Sequence, residues 1–581
     1  MRNAKIVCTI GPASDSRERL RELVEAGMDV ARLNASHGTP EDRREVIDRI
    51  RDVSGDLGAP VPVMYDLAGP EIRTASTDEP VHVETGSTVR FSVGETATPE
   101  EIGLSDSIAA AQPGDRVLLD DGRIETVVEE SDGEVVVARV EDGGDLAGNK
   151  GVNVPGVDLG LPVVTEQDRR DIEVAVEQDV EFVAASFVRS GEDVYEVAEA
   201  IDDAGGDIPV VAKIERADAV ANIDAIADEA AGVMVARGDL GVECPMEEVP
   251  LIQKRVIRRC HRAGVPVITA TEMLDSMVHE RRPTRAEASD VANAVLDGTD
   301  AVMLSGETAI GDHPATVVET MDRIIRDVEG SGEYDESREQ RVPPAGESRT
   351  DALARSARFL ARDVGASAIV AASESGYTAR KAAKYRPDVP IVAATPSERV
   401  RRQLSLSWGI RPEFASYTED GANAVIQTAV QSAIDAGVVE PGETVVVLAG
   451  MMTELEGLDT ANTLKVHVAA ETLVSGRPVV DGVMSGPVYH VEDGDLAGMP
   501  EGAILAVPDD FDGEFEGDLS AIGGIVTAHE GVTGYAAIVA RELGVPTIAD
   551  ADLGDVAAGT DVTLDGERGV VYADRITDRS E

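Results

Sequence analysis

From residue 4 to about residue 330, short apolar runs alternate with stretches in which apolar residues recur every three or four positions. The runs predict strands over residues 5–10, 30–33, 62–67, 182–187, 210–214, 233–236, 266–270 and 301–304. Stretches such as 14–26, 166–178 and 284–296 predict the helices between them. Eight such units make an α/β fold, a (β/α)8 barrel of the TIM type, whose functional residues gather at the C-terminal strand ends. One interruption follows the third strand. Over residues 74–155 the pattern changes to short alternating segments (VHVETGSTVRFSV, DRVLLD, GEVVVARV) with turn residues between, which predicts an inserted β-domain. Residues 332–350 are polar and without periodicity and predict a linker. From residue 351 strands and helices alternate again (SAIVAAS, PIVAATP, TVVVLAG, LKVHVAA), and a further domain follows residue 475. The expected division is a barrel over 1–73 and 156–345, the insert over 74–155, an α/β domain over 346–474 and a C-terminal extension over 475–581.

Composition narrows this picture. A chain of 581 residues exceeds one core, in keeping with several domains. Lys and Arg number 52 against 110 Asp and Glu, a net charge of −58, which argues against nucleic acid or an anionic membrane as partner. Hydrophobic residues make up 43% and fall in periodic runs, so the charge belongs to folded domains and not to a disordered chain. Such a surface suits concentrated salt, where screening weakens self-repulsion. The three cysteines, Cys8, Cys244 and Cys260, form no CxxC pair and are expected to be reduced thiols in a cytoplasmic protein. The chain enters its first strand without a signal-like segment, and no run is long and apolar enough to span a bilayer.

The chemistry concentrates in VVAKIERADAV and GVMVARGDLGVE, between Val210 and Glu243. Each begins apolar and turns charged where a strand would end. Lys213 and Glu215 are two apart and so share one face of a strand, and Asp239 follows Gly238, which admits close backbone approach. Taken alone, these residues fit either an ion pair on a barrel rim or a hard-cation site beside an anionic substrate.

Their neighbours favour the second reading. In order along the chain stand KIVCTIGPAS from Lys5, GMDVARLNASHG from Gly27, GPEIRT from Gly69, KGVNVPG from Lys150, AKIER, ARGDLG and ITATEMLDSM from Ile268. RPTRAEASDVANAVLDGTDAVMLSGETAIGDHP from Arg282 and SESGYTARKAAKYRP from Ser373 follow. This ordered series resembles the pyruvate kinase family over most of the chain. The resemblance implies phosphoryl transfer from phosphoenolpyruvate to ADP, followed by protonation of the enolate, with the inserted domain as a lid over the nucleotide. It implies Arg32 and Lys213 as the groups that grip the phosphoryl group and stabilise developing charge. It further implies Glu215 and Asp239 as ligands of Mg²⁺ or Mn²⁺, and Gly238, Asp239 and Thr271 as substrate contacts, Thr271 near the path of the proton. Asn34, Ser36, Asp66 and the carbonyl of Leu67 match a K⁺ site, and Glu71 matches the residue type that goes with K⁺ dependence. Asn34, His37, Arg73 and Lys150 match nucleotide contacts. The chain departs from the family pattern at Leu67 and Ala68, where Thr and Lys are usual, and at Glu272, where Gln is usual; Glu272 either adds charge near the metals or faces solvent. Trp408 and the remaining histidines are expected to pack in the core or lie on the surface.

Ser373, Ser375, Gly376 and Thr378 stand at a strand-to-helix turn whose N–H groups and hydroxyls suit an anion. The resemblance points there to a phosphorylated or nucleotide effector, although Glu374 would repel one. A homotetramer is the assembly the family implies. The stretch GGIVTAHEGVTGYAAIVARELGVPTIAD from Gly523 resembles the mobile, swivelling phosphohistidine domain of phosphoenolpyruvate-utilising enzymes. Those domains carry their histidine in TSHAAI; this chain reads TGYAAI, with Tyr535 in its place and His529 six residues earlier, ahead of the expected helix. Two other readings are a dikinase- or synthase-like phosphotransferase, suggested by this extension, and a regulator that keeps the fold without catalysis.

Overall fold

The computed structural model describes residues 2–417, 421–450, 461–573 and 575–576. The chain divides into two compact units, Met1–Arg358 with Ser373–Phe414, and Phe359–Ala372 with Ala415–Glu581.

The first unit is built on a closed barrel of eight parallel strands. They are Lys5–Thr9, Val30–Asn34, Val63–Asp66, Phe182–Ala185, Val210–Ile214, Gly232–Ala236, Val267–Ala270 and Ala301–Leu304. All eight predicted strands are present, with ends shifted by a residue or two. The period of two along each strand divides the barrel into two cores. Val7, Val30, Met64, Phe182, Ala184, Val211, Met234, Ile268, Ala301 and Met303 fill the interior. Ile6, Ala31, Leu33, Val63, Tyr65, Val233 and Val302 face the surrounding helices. Continuing the interior parity to the C-terminal strand ends gives Thr9 after Val7, Arg32 and Asn34 after Val30, Asp66 after Met64, and Lys213 and Glu215 after Val211. The barrel mouth is therefore polar because the same alternation that fills its floor runs out into charged residues.

The inserted domain is a seven-stranded sheet running from Ile72–Arg73 at one edge to Glu101–Leu104 at the other. A bridge between Thr74 and Leu104, with Ala75 N–H donating to Gly103 O at 2.8 Å and Ser105 N–H to Arg73 O at 2.9 Å, brings those edges together. Phe91, Ile102, Leu104 and Leu119 are among the fully buried side chains of its own core.

The predicted linker over residues 332–350 needs correction. Gly332–Gln340 is a helix, capped by the Ser331 hydroxyl, and the next helix starts at Arg349. Weak amphipathicity hides this helix in the sequence: one aromatic, Tyr334, anchors it, its hydroxyl accepting from Trp408 Nε1 at 3.1 Å. Trp408 is buried as expected, with the Arg386 guanidinium 4.7 Å from its ring centroid.

In the second unit Ala368–Ala372 pairs in parallel with Thr444–Ala449, which pairs antiparallel with Thr463–Val468. The C-terminal extension forms an eight-stranded sheet around four parallel strands, Val483–His490, Ala503–Val507, Ile522–Thr527 and Thr547–Ala549. Helix Tyr535–Leu543 packs on it. Residues 577–581 of the expected extension lie outside the described residues. Among the described residues no helix is long and apolar enough to cross a membrane. All three cysteines are free, two of them buried.

Candidate active site

At the barrel mouth Arg32 is almost fully buried. Its Nε and Nη2 both lie 2.6 Å from Asp66 Oδ2, and its Nη1 donates to Thr9 Oγ1 at 2.9 Å. Lys213 Nζ donates to Glu215 Oε1 and to Ser186 Oγ, each at 2.8 Å, and lies 3.4 Å from Asp66 Oδ1. Burial alone would lower the pKa of this ammonium, but Asp66 and Glu215 outweigh it and hold it above its usual value, so Lys213 is cationic. Arg32, Asp66, Lys213 and Glu215 thus form one contiguous charged cluster.

Asp239 begins to turn into the short helix Arg237–Glu243 just past the sixth strand. Burial, and then the charge of Glu215, push its carboxyl up to about 7, against the pull of Lys213; Asp121 and Glu71 add to the repulsion. A cation between the two would relieve the repulsion that buried Glu215 exerts on Asp239, so Glu215 and Asp239 fit a divalent ion. Among the described residues no three His, Cys, Asp or Glu side chains form a metal cage. Two carboxylates with substrate and water oxygens are the usual complement for Mg²⁺.

The monovalent set is also consistent. Asp66 Oδ1 is buried without a hydrogen-bond partner. Leu67 O accepts only the Ser186 hydroxyl, at 2.8 Å, among its side-chain donors, and Asn34 Oδ1 accepts the Ser36 N–H at 3.1 Å. Each oxygen keeps lone-pair capacity for a weakly held ion. Leu67 itself is buried, so replacing the family's Thr with Leu leaves the carbonyl in place.

Thr271 follows the seventh strand at φ +74°, and a Cβ placed on Gly238 would lie 2.7 Å from its Cγ2. The glycine is required by this close approach. Glu272 is exposed. The nucleotide candidates are tied to carboxylates. Lys150 Nζ lies 2.8 Å from Asp120 Oδ1, and Arg73 Nη2 lies 2.6 Å from Glu71 Oε2. His37 is exposed on the loop after the second strand, its carbonyl held by Arg43 Nη1 at 2.8 Å.

Sequence reasoning missed Ser186 and Phe187. The Ser186 hydroxyl donates to Leu67 O and accepts from Lys213, which leaves it one orientation. Phe187, at φ +56°, gives its N–H to Glu215 Oε2 at 2.6 Å. One dipeptide therefore ties Lys213, Glu215 and the Leu67 carbonyl together. The interior parity Phe182, Ala184, Ser186 was the available signal.

The second candidate, the SESGYTAR turn, forms as expected: Gly376 at φ +76° caps helix Tyr377–Lys384, with Thr378 buried in its first turn. Ser375 Oγ accepts the Tyr377 N–H at 3.4 Å, Ser373 Oγ is buried without a partner, and Glu374 is exposed. In the extension Tyr535 opens the helix and remains partly exposed, its oxygen accepting the Phe515 N–H at 3.0 Å and its ring meeting Phe515 edge-on at 5.2 Å. His529 precedes the helix, yet its ring lies against the N-cap: a Cβ on Gly534 would be 2.9 Å from His529 Cδ2.

Known proteins are similar to this chain along most of its length. Residues 1–318 match the pyruvate kinase barrel domain, 351–467 the pyruvate kinase alpha/beta domain, and 499–569 the mobile domain of PEP-utilising enzymes. A pyruvate kinase of Bacillus licheniformis is 42% identical, covering 99% of both chains. One from Geobacillus stearothermophilus is 42% identical over 98% of each, and one from Staphylococcus aureus 40% over 98% of this chain and 99% of that one. A solved pyruvate kinase from Cryptosporidium parvum superposes with a TM-score of 0.75 at 35% identity, covering 81% of this chain and 96% of that one. With the barrel, alpha/beta and mobile domains all matched and relatives 40–42% identical over nearly the whole chain, the chain belongs to the pyruvate kinase family.

Proposed function

We propose that the barrel mouth transfers the phosphoryl group of phosphoenolpyruvate to ADP, giving ATP and, after protonation of the enolate carbon, pyruvate. The observation that carries this reading is the position of Lys213, held between Glu215, Ser186 and Asp66 beside the Arg32 guanidinium. Phosphoryl transfer asks for positioning and charge neutralisation more than for covalent chemistry, and this cluster is made for it.

Arg32 presents a planar fork to the phosphoryl oxygens, and Lys213 places a fixed ammonium against the negative charge that builds on the phosphoryl group and the enolate oxygen. Gly238 and Asp239 line the substrate, and Thr271 stands at the face from which the proton reaches the enolate. Glu215 and Asp239 would hold Mg²⁺ or Mn²⁺, and Asn34, Ser36, Asp66 and the Leu67 carbonyl would hold K⁺. Those ions, when bound, neutralise phosphate charge. Asn34, His37, Arg73 and Lys150 bind the nucleotide; Lys150 and Arg73 exchange their bonds to Asp120 and Glu71 for phosphate oxygens as the inserted domain closes and excludes water.

The Ser373–Thr378 turn is read as an effector site for a phosphate-bearing ligand, supported by the buried, unpartnered Ser373 hydroxyl. The protein is read as a cytoplasmic homotetramer. Its charge of −58 supports a host with concentrated internal salt, and loss of structure in dilute KCl is the expected behaviour. The activity is tested with purified protein, phosphoenolpyruvate, ADP, Mg²⁺ and KCl, with pyruvate read by lactate dehydrogenase. No pyruvate formation from folded protein would refute it.

A further inference from the structure

After the seventh barrel strand the chain places two consecutive residues in the left-handed region, Thr271 at φ +74° and Glu272 at φ +52°. Residues other than glycine seldom adopt this conformation, and for a β-branched one it is strained, so it persists only where the surroundings enforce it. The enforcing group is visible. Arg237, the first residue past the sixth strand, donates from Nε to Ala270 O at 3.0 Å and from Nη2 to Thr271 O at 2.9 Å. Its Nη2 also lies 2.8 Å from Met273 Sδ, so the guanidinium spans the whole bend. From behind, Asp290 braces it, with Oδ1 2.7 Å from Nη1 and Oδ2 2.6 Å from Nη2, and Gln253 Oε1 accepts from Nη1 at 3.3 Å. A single ammonium could not reach both carbonyls and the carboxylate at once. On the other side the backbone of Gly238 leaves room for the Thr271 methyl, at a distance no Cβ would allow. Arg237 and Gly238 are consecutive, so one turn both clamps the bend and receives its side chain.

We propose that Arg237, braced by Asp290, is a positioning residue that locks Thr271 into its left-handed backbone conformation and so fixes the threonine side chain over Gly238, beside Asp239. The inference rests on the reading of Thr271 as a substrate contact. The Arg237 guanidinium is occupied by Ala270 O, Thr271 O, Asp290 and Gln253, and it acts through Thr271. Without the fork the bend relaxes toward ordinary φ values and the threonine leaves its place. A displacement of about 1 Å in a positioned group costs on the order of 10²-fold in rate.

The test uses the full-length enzyme. Arg237→Lys keeps the charge but not the fork, and kcat is expected to fall by about 10- to 100-fold while KM for phosphoenolpyruvate changes by less than about threefold. Exchange of the pyruvate methyl protons with D₂O, which reports the protonation step alone, is expected to fall in parallel. The deciding variant is a suppressor. Glu272 is exposed, and glycine adopts positive φ freely, so Glu272→Gly alone should leave kcat unchanged while R237K/E272G recovers several-fold over R237K. Loss in R237K without recovery in the double variant would mean a general packing role and would overturn the proposal, as would wild-type kcat in R237K. Should R237K fail to fold, Asp290→Asn, which loosens the brace and keeps the fork, carries the same expectation with a drop of several-fold and the same rescue. Thr271→Val separates the two ideas: wild-type kcat in T271V refutes the reading of Thr271, whereas an impaired T271V beside a fully active R237K refutes the positioning role alone.

Discussion

Replacing Lys213 by methionine removes the ammonium and keeps an unbranched side chain of similar reach. The ammonium now satisfies Glu215 Oε1 and Ser186 Oγ, both at 2.8 Å, and faces Asp66 Oδ1 at 3.4 Å. In the variant one preorganised cation is missing where charge develops, which costs on the order of 10²–10³ in kcat, about 3–4 kcal/mol of barrier. Stability falls as well. The side chains of Asp66 and Glu215 are 1% and 2% exposed, and stripping one partner from a buried pair costs about 3–5 kcal/mol. Asp66 keeps Arg32 and Glu215 keeps the Phe187 N–H, so the lower end, about 3 kcal/mol, is expected. The assay is pyruvate release at saturating phosphoenolpyruvate and ADP, with thermal unfolding and Mg²⁺ binding measured in the same buffer. Mg²⁺ binding should survive, since Glu215 and Asp239 remain. Ser186→Ala, which loosens the ammonium and frees the Leu67 carbonyl, should lose about tenfold, an intermediate effect. A folded K213M enzyme turning over within about fivefold of wild type would refute the assignment of Lys213.

The Asn34, Ser36, Asp66 and Leu67 set predicts that replacing KCl by a large organic cation at equal ionic strength abolishes turnover; undiminished turnover would remove the monovalent site. His261 is buried with Nε2 2.7 Å from Lys384 O, and burial, then the charge of Arg386, push its pKa down to about 3 from 6.5. A depressed folded-state value means the unfolded chain takes the proton first, so this stability is full above pH 6.5 and is lost progressively as pH falls toward 3. His261→Gln should therefore lose less stability than wild type on acidification, by roughly 1.4 kcal/mol per pH unit within that range in urea unfolding; identical pH dependence would contradict the buried, neutral imidazole. In the extension, Tyr535 is committed to Phe515 and a phenol is not activated near neutral pH, so ³²P-labelled phosphoenolpyruvate should leave no acid-labile label. Stoichiometric label on His529 would revive the dikinase-like reading.

Much of this protein is legible in its sequence because the barrel obeys a local rule. The period of two that buries Val211 also places Lys213 and Glu215 inside, and apolar runs end where the mouth begins. Strand number, the site's end of the barrel and the inserted β-domain follow from that alternation, and the ordered motifs supply the chemistry. Helix Gly332–Gln340 escaped because it is held by tertiary contacts, Tyr334 with Trp408, Ser337 with Leu296 O and Arg338 with Pro387 O, and not by its own periodicity. Ser186, Phe187 and Arg237 escaped for a related reason. A serine at a strand end or an arginine before a glycine is ordinary in one dimension, and each gains its role only when closure of the barrel sets neighbouring strand ends side by side. Ser186 then meets Lys213 from the next strand and Leu67 from the previous one, and Arg237 reaches the carbonyls after the seventh. The sequence determines which residues face inward, since that is a matter of parity along one strand; only the tertiary structure decides which of them touch, since that depends on register between strands far apart in the chain.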